Sequence, residues 1–207
     1  MFLEVEFYPD KPDTPAKVLE GYTKGVFPMG DVLDNSVSWY TANPRGIITF
    51  NDDIFKFHIP RSLKQVMKKN IFELKIDTCF NRVIHKCSER EDTWINGKII
   101  DLYSKLHKMG YAHSVETFYN GKLAGGLYGV ALKGAFFGES MFHEYPNASK
   151  AAVVKLFEIL YKNVFLLFDI QMITSVFEIF NAIYIPRKVY LKLLESAMQV
   201  QCKFSDT

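Results

Sequence analysis

Alternation of apolar and polar positions is clearest between residues 112 and 142. Ala112 to Tyr119 alternates like a half-buried strand, Asn120-Gly121 interrupts it, and Lys122 to Leu132 resumes it. Asn-Gly between two such runs predicts a β-hairpin, because both central turn residues must take positive φ. A third strand, Gly134 to Phe142, follows. Helical spacing marks Ile99, Ile100, Leu102, Tyr103 and Leu106, which predicts a helix from an Asn96 cap to Met109. Another helix is read over Asn147 to Tyr161, a buried strand over Val164 to Met172, a short helix over Thr174 to Asn181, and a last helix from Pro186 to about Met198.

Upstream, Pro9, Pro12 and Pro15 suggest an extended lead-in. Ala16 to Lys24 is read as a helix with Thr14 as cap and Pro15 at its first position. GVFPMG and SWYTANPRG read as turns with aromatics. Gly46 to Phe50 and Phe55 to Ile59 are short β runs, Arg61 to Lys69 a helix, Phe72 to Ile76 a strand, and Asp77 or Thr78 the cap of a helix to Cys87. Arg45 marks a candidate boundary between a small N-terminal domain, 1–45, and a main domain, 46–207. This order of elements predicts an α+β fold with a mostly antiparallel central sheet.

Composition narrows the class. The chain has 207 residues, 48% hydrophobic and 23% charged, with 18 phenylalanines and a net charge of +2. That is an ordinary globular balance with an unusually aromatic interior. The three cysteines, Cys79, Cys87 and Cys202, show no CxxC spacing, and the five histidines no metal-ligand spacing, so neither a disulfide framework nor a metal site is read. Met1 leads into acidic residues rather than a basic leader, and the apolar run Val164 to Phe168 is far too short to span a bilayer. The expectation is a cytoplasmic protein with no membrane contact.

Candidate chemistry sits in the strands. Glu139 lies between Phe136-Phe137 and Met141-Phe142, where a carboxylate is expensive unless paired or useful. Asp169 and Gln171 lie two apart in an apolar strand, so both side chains are expected on one face. They form either a structural hydrogen-bond network or a polar patch that positions a reacting amine or carbonyl. His113, Ser114 and Glu116 do not make a hydrolytic triad, because neighbours in a strand point apart. Gly125, Gly126 and Gly129 fall inside a strand, which fits a bulge or close backbone approach rather than a phosphate loop. Arg61, Lys64, Lys68 and Lys69 share one helix face, either solvated surface or a track for a phosphate backbone.

The segments GYTKGVFPMG, SWYTANPRG, HIPRSLK, TWINGKIIDLYSKLHKMGYAHSVE, GGLYGVALKGAFFGESMFHEYPNASK, FDIQ and IPRKVYLKLL resemble the bacterial leucyl/phenylalanyl-tRNA–protein transferases over about residues 16 to 195. The resemblance implies an N-acetyltransferase-like domain after a small N-terminal one. It also implies transfer of an amino acid from aminoacyl-tRNA to the N-terminal amine of an acceptor protein in the N-end rule pathway, with no metal or nucleotide cofactor, by an enzyme read as a monomer. Asp169, Gln171 and Glu139 would be catalytic. Leu127, Phe136, Met141, Val153, Leu156 and Phe168 would form the aminoacyl pocket, with Met29 in its wall and Trp94 at its mouth, where the terminal adenosine would stack. Arg61, Lys64, Lys68 and Lys69 would meet the tRNA. Met29 replaces a tryptophan usual in the family, Val176 a histidine and Asn181 a glycine; the lost histidine bears on acceptor recognition.

Two other readings remain open. One is arginyl transfer to acidic N-termini, with Glu116, Glu139 or Glu144 facing the donor and Lys150 or Arg187 the acceptor. The other is an acetyl-coenzyme A-dependent N-acetyltransferase.

Overall fold

The computed structural model describes residues 2–5, 10–49, 58–90 and 93–206. In chain order the elements are β1 (Phe2–Val5), α1 (Pro15–Thr23), β2 (Phe27–Gly30), β3 (Val37–Asn43), β4 (Arg45–Thr49), α2 (Arg61–Lys68), β5 (Glu73–Ile76), α3 (Phe80–Ser88), α4 (Gly97–Lys108), β6 (Ala112–Tyr119), β7 (Lys122–Leu132), β8 (Ala135–His143), α5 (Ala148–Lys162), β9 (Leu167–Gln171), α6 (Ser175–Glu178), β10 (Ile183–Ile185) and α7 (Arg187–Ala197). Of the expected run Phe55 to Ile59, residues 55–57 lie outside the described ones.

Seven strands form the main sheet in the order β10-β4-β9-β8-β7-β6-β5, and β1-β3-β2 form a smaller one. Among the described residues of the main sheet, β8 and β9 pair in parallel and the other neighbouring pairs are antiparallel. The expected α+β architecture with a mostly antiparallel central sheet is what the chain adopts. The β6–β7 hairpin turns at Asn120 and Gly121 with φ of 50° and 71°, the conformation that Asn-Gly tolerates.

Strand alternation sorts side chains into two layers. Tyr128, Val130 and Phe137 face α3 and α4, in a core that also takes Val18 and Tyr22 from α1, Phe27 from β2 and Leu167 from β9. Val115, Leu127, Phe136 and Phe168 face α5. The small sheet and the main one therefore share a hydrophobic core.

Several local expectations need correction. The aromatic segments read as turns are strands β2 and β3, and the lead-in contains β1. Pro28 is accommodated because β2 is an edge strand, where a missing N–H costs no ladder bond. Helix α3 is not capped by Asp77 or Thr78. Asp77 takes a φ of 56°, the helix starts at Phe80, and its capping acceptor comes from β6: the Glu116 carboxylate accepts from the Thr78 and Cys79 N–H groups, both at 3.3 Å. Strand β9 begins at Leu167 rather than Val164, whose φ is 59°. Strand β10 carried too short an apolar signal to be expected.

Candidate active site

Parallel strands β8 and β9 pair only over Ala135–Phe137 and Leu167–Asp169. Just past that point both leave regular geometry. Pairing of β8 with β7 steps from Gly129↔Gly138 to Tyr128↔Ser140, so Glu139 is the extra residue of a β-bulge. Pairing of β9 with β4 steps from Ile47↔Asp169 to Gly46↔Gln171, and Gln171 takes a φ of 51°. Bulges re-aim side chains. Here they turn Glu139 and Gln171 toward each other across the opening, with Gln171 Nε2 at 3.4 Å from Glu139 Oε1. Gly129 is required opposite the bulge, because a Cβ there would lie 2.3 Å from the Phe137 carbonyl oxygen.

The opening leads into a cavity of about 670 Å³. Leu127, Met141, Leu156, Phe168, Ile170 and Phe177 give it an apolar arm. Lys86, Glu89, Arg90, Tyr128 and Ser140 give it a polar wall, and the rings of Phe27 and Trp94 with the Met29 thioether its remaining side. Met29 and Trp94 are held together by backbone: Gly30 N–H donates to the Trp94 carbonyl at 3.0 Å. The side-chain amide of Asn96, while capping α4, donates to the Asp31 and Ser36 carbonyls at 2.9 and 2.8 Å. A second cavity of about 590 Å³ adjoins the first through His143, Glu144, Ser149 and Val176, and Lys150 lies on it.

Glu139 touches the cavity while its carboxyl is backed by tyrosines. The Tyr22 hydroxyl donates to Oε1 at 2.6 Å and the Tyr103 hydroxyl to Oε2 at 2.9 Å. Desolvation raises its pKa to about 7, against the two tyrosine hydrogen bonds that favour the anion. Asp169 is different. It is fully buried in a bidentate ion pair with Arg45 (Nε to Oδ1 2.9 Å, NH2 to Oδ2 2.7 Å) and also accepts from the Tyr190 hydroxyl at 2.7 Å. The guanidinium is sandwiched between the Phe27 and Tyr190 rings, 4.8 and 4.5 Å from their centroids. Burial opposes the Arg45 charge, but Asp169 overcomes it and leaves the pKa raised. Such a pair needs each partner, because removing one strands the other charge.

The sequence-predicted residues fall into groups. Glu139 and Gln171 face the cavity together with Met29, Trp94, Leu127, Met141, Leu156 and Phe168. Asp169 does not line it. It reaches the site through its Oδ1, which accepts the Gln171 backbone N–H at 2.9 Å. Asp169 and Gln171 differ in depth: Asp169 is fully buried against Arg45, while the Gln171 side chain reaches Glu139 at the cavity wall. Phe136 and Val153 are fully buried behind the wall rather than in it. Arg61, Lys64 and Lys68 are exposed on α2 and Lys69 at its C-cap; the helix is anchored by buried Leu63. His113 hydrogen-bonds Asp77 while Ser114 hydrogen-bonds Glu116 on the other face, so no triad forms. Glu116 is buried as the cap of α3 and does not line the cavity, and Glu144 pairs with Lys86 at 2.8 Å.

Sequence reasoning missed Arg45, Tyr22, Tyr103, Tyr128 and Tyr190. For Tyr22, Tyr103 and Tyr190 the usable signal is a tyrosine on a buried helix stripe, since a buried hydroxyl needs a polar partner. Tyr128 keeps a buried hydroxyl without one. Among the described residues no cluster of metal-ligating side chains occurs, and no helix is long and apolar enough to cross a membrane.

A family model described as leucyl/phenylalanyl-tRNA protein transferase matches residues 52–195. Curated relatives named leucyl/phenylalanyl-tRNA–protein transferase are similar over nearly the whole chain. That of Akkermansia muciniphila is 46% identical over 191 residues, covering 91% of this chain and 97% of the relative. That of Herpetosiphon aurantiacus is 42% identical, covering 92% and 97%. That of Salinibacter ruber is 43% identical over 187 residues, covering 90% and 81%.

Proposed function

The chain belongs to the leucyl/phenylalanyl-tRNA–protein transferase family, and from this we infer that it moves leucine or phenylalanine from charged tRNA to the N-terminal α-amine of an acceptor protein. The product carries a destabilising N-terminal residue of the N-end rule pathway, and the reaction takes place in the cytoplasm, where charged tRNA is made. The parting of parallel strands β8 and β9 is the N-acetyltransferase-like feature that opens room for two substrates.

The donor is already an activated ester, so neither nucleotide nor metal is asked for. Its side chain enters the apolar arm formed by Leu127, Met141, Leu156, Phe168 and Phe177. Trp94 takes the terminal base, by the stacking that aromatic side chains offer any nucleobase, with Met29 beside it. The acceptor ammonium loses a proton to the Glu139 carboxylate, and the free amine attacks the ester carbonyl. The Gln171 amide N–H donates to the oxyanion of the tetrahedral intermediate. Collapse breaks the ester C–O bond: protonated Glu139 gives its proton to the leaving ribose oxygen, and the new amide nitrogen loses its second proton to the carboxylate so regenerated. Holding both substrates in line supplies much of the acceleration, roughly 7–11 kcal/mol at best. Asp169 is a positioning residue: it fixes the Gln171 backbone and is itself fixed by Arg45. The α2 face of Arg61, Lys64, Lys68 and Lys69 neutralises phosphates of the acceptor stem.

The observation that carries this reading is the facing pair Glu139 and Gln171 at the head of an apolar arm. An arginine donor would need a free carboxylate inside that arm. Of the candidates, Glu116 caps a helix, Glu144 is paired with Lys86, and Glu139 stands at the arm's head between two tyrosines. The test is transfer of labelled leucine, phenylalanine or arginine from charged tRNA to peptides beginning with Arg, Lys, Asp or Glu. Leucine and phenylalanine are the expected donors. Transfer of arginine alone would overturn the donor assignment, and transfer of none the reaction itself.

A further inference from the structure

The segment after α7 is not a loose end. It crosses the end of α5 and the turn into β9, where several bonds hold it. Asn163 Nδ2 donates to the Ser205 carbonyl at 2.8 Å, Lys155 pairs with Asp206 at 2.6 Å, and the Cys202 thiol lies 3.3 Å from the Val164 carbonyl. These ties place the Phe204 ring between two others. It stacks on His113 at a centroid distance of 4.3 Å and on Phe136 at 5.5 Å. His113 cannot yield easily, because its ring nitrogens lie 2.7 Å from Asp77 Oδ2 and 3.1 Å from the Gly110 carbonyl.

On its other side Phe136 meets Phe168 edge-on at 5.6 Å, and Phe168 meets Phe177 edge-on at 5.8 Å. Phe168 and Phe177 line the apolar arm; Phe136 does not. A continuous row of rings thus runs from the C-terminal segment to the cavity, with fully buried Phe136 as its middle member. Interiors are packed as tightly as organic crystals, so a void at one member is felt by the next.

We propose that Phe204 is a specificity-determining residue, which presses on Phe136 to hold Phe168 edge-on in the apolar arm and so sets how large a donor side chain the arm admits. This rests on the reading of that arm as the aminoacyl pocket. Shortening Phe204 leaves space beside Phe136. Phe136 and Phe168 relax into it, and the arm widens without any change to a residue that touches substrate.

The experiment compares kcat/KM for adenosine esters of leucine, phenylalanine and tryptophan in the full chain and in Phe204→Ala, Phe204→Leu and Phe204→Tyr. The readout is the ratio of bulky to small donor, which cancels any loss of folded protein. For Phe204→Ala the tryptophan-to-leucine ratio rises at least about threefold, a modest share of what one methylene is worth in an apolar pocket. Phe204→Leu shifts it less, and Phe204→Tyr, which keeps the ring, leaves it within about twofold. Should Phe204→Ala not fold, the comparison of Phe204→Leu with Phe204→Tyr carries the test. A ratio that stays at the parent value in Phe204→Ala or Phe204→Leu, in a chain whose parent form is active, overturns the proposal alone. A parent chain that transfers none of the three overturns the reading beneath it.

Discussion

Replacing Glu139 by glutamine separates what that carboxylate does for the fold from what it does for the reaction. Its pKa stands at about 7 in the folded protein against an ordinary value of 4.5, chiefly from desolvation. A folded-state pKa raised above the unfolded one means that the native state holds its proton more tightly. The protonated form therefore stabilises the fold, fully so below the unfolded pKa. That contribution is lost as pH rises, and it has gone once the pH passes about 7. The rise from 4.5 to about 7 corresponds to about 3 kcal/mol, most of it lost between pH 5 and 8. Glutamine resembles the protonated acid and cannot titrate. The Glu139→Gln chain should thus gain on its parent by about 2–3 kcal/mol between pH 5 and 8, or roughly 5–10 °C in Tm for a chain of this size. Urea unfolding of both chains at several pH values measures it, because every other titrating group cancels in the difference. Turnover should run the opposite way: rising through pH 7 in the parent as the base ionises, and low at all pH values in the variant. A stability difference that does not change with pH would refute the account of Glu139.

Two further outcomes follow from the same geometry. Asp169→Ala strands the buried Arg45 charge and should cost about 3–5 kcal/mol; turnover should fall in the folded fraction while tRNA affinity stays unchanged, and full turnover there would remove Asp169 from the mechanism. Replacing Arg61, Lys64 and Lys68 together by alanine should weaken tRNA binding and flatten the salt slope by roughly 2–3 units, so titration at several salt concentrations giving the parent slope would exclude α2 as the contact face.

What could be read from the sequence was what local chemistry determines. Asn120-Gly121 sets the hairpin, Thr14 and Asn96 cap their helices as expected, and from Arg61 to Gln171 the apolar runs give strands and helices in the right order. What could not be read depends on residues far apart in the chain. Arg45 and Asp169 are 124 positions apart, and nothing near either announces the other. The cap of α3 comes from β6, so a search for a capping residue just before the helix finds Asp77 and Thr78 and stops there. In the site, residue types were legible and directions were not. Asp169 and Gln171 look equivalent under alternation, and the distant Arg45 makes one a buried anchor while the other borders the cavity.

The bulge at Glu139 has a wider consequence. Phe136 and Met141 both face α5, while Phe137 and Phe142 both face the opposite layer. Five positions separate each pair, an odd number, where alternation would send the partners to opposite sides. One inserted residue inverts the parity of the rest of the strand. The pocket is therefore specified partly by a count. Removing a single residue between 138 and 140 would leave every neighbouring side chain in the chain, yet it would turn Met141 away from α5 and exchange its place with Phe142. A scan that changes residue identities one by one would never find this determinant, whereas a scan of single-residue deletions and insertions along β8 would.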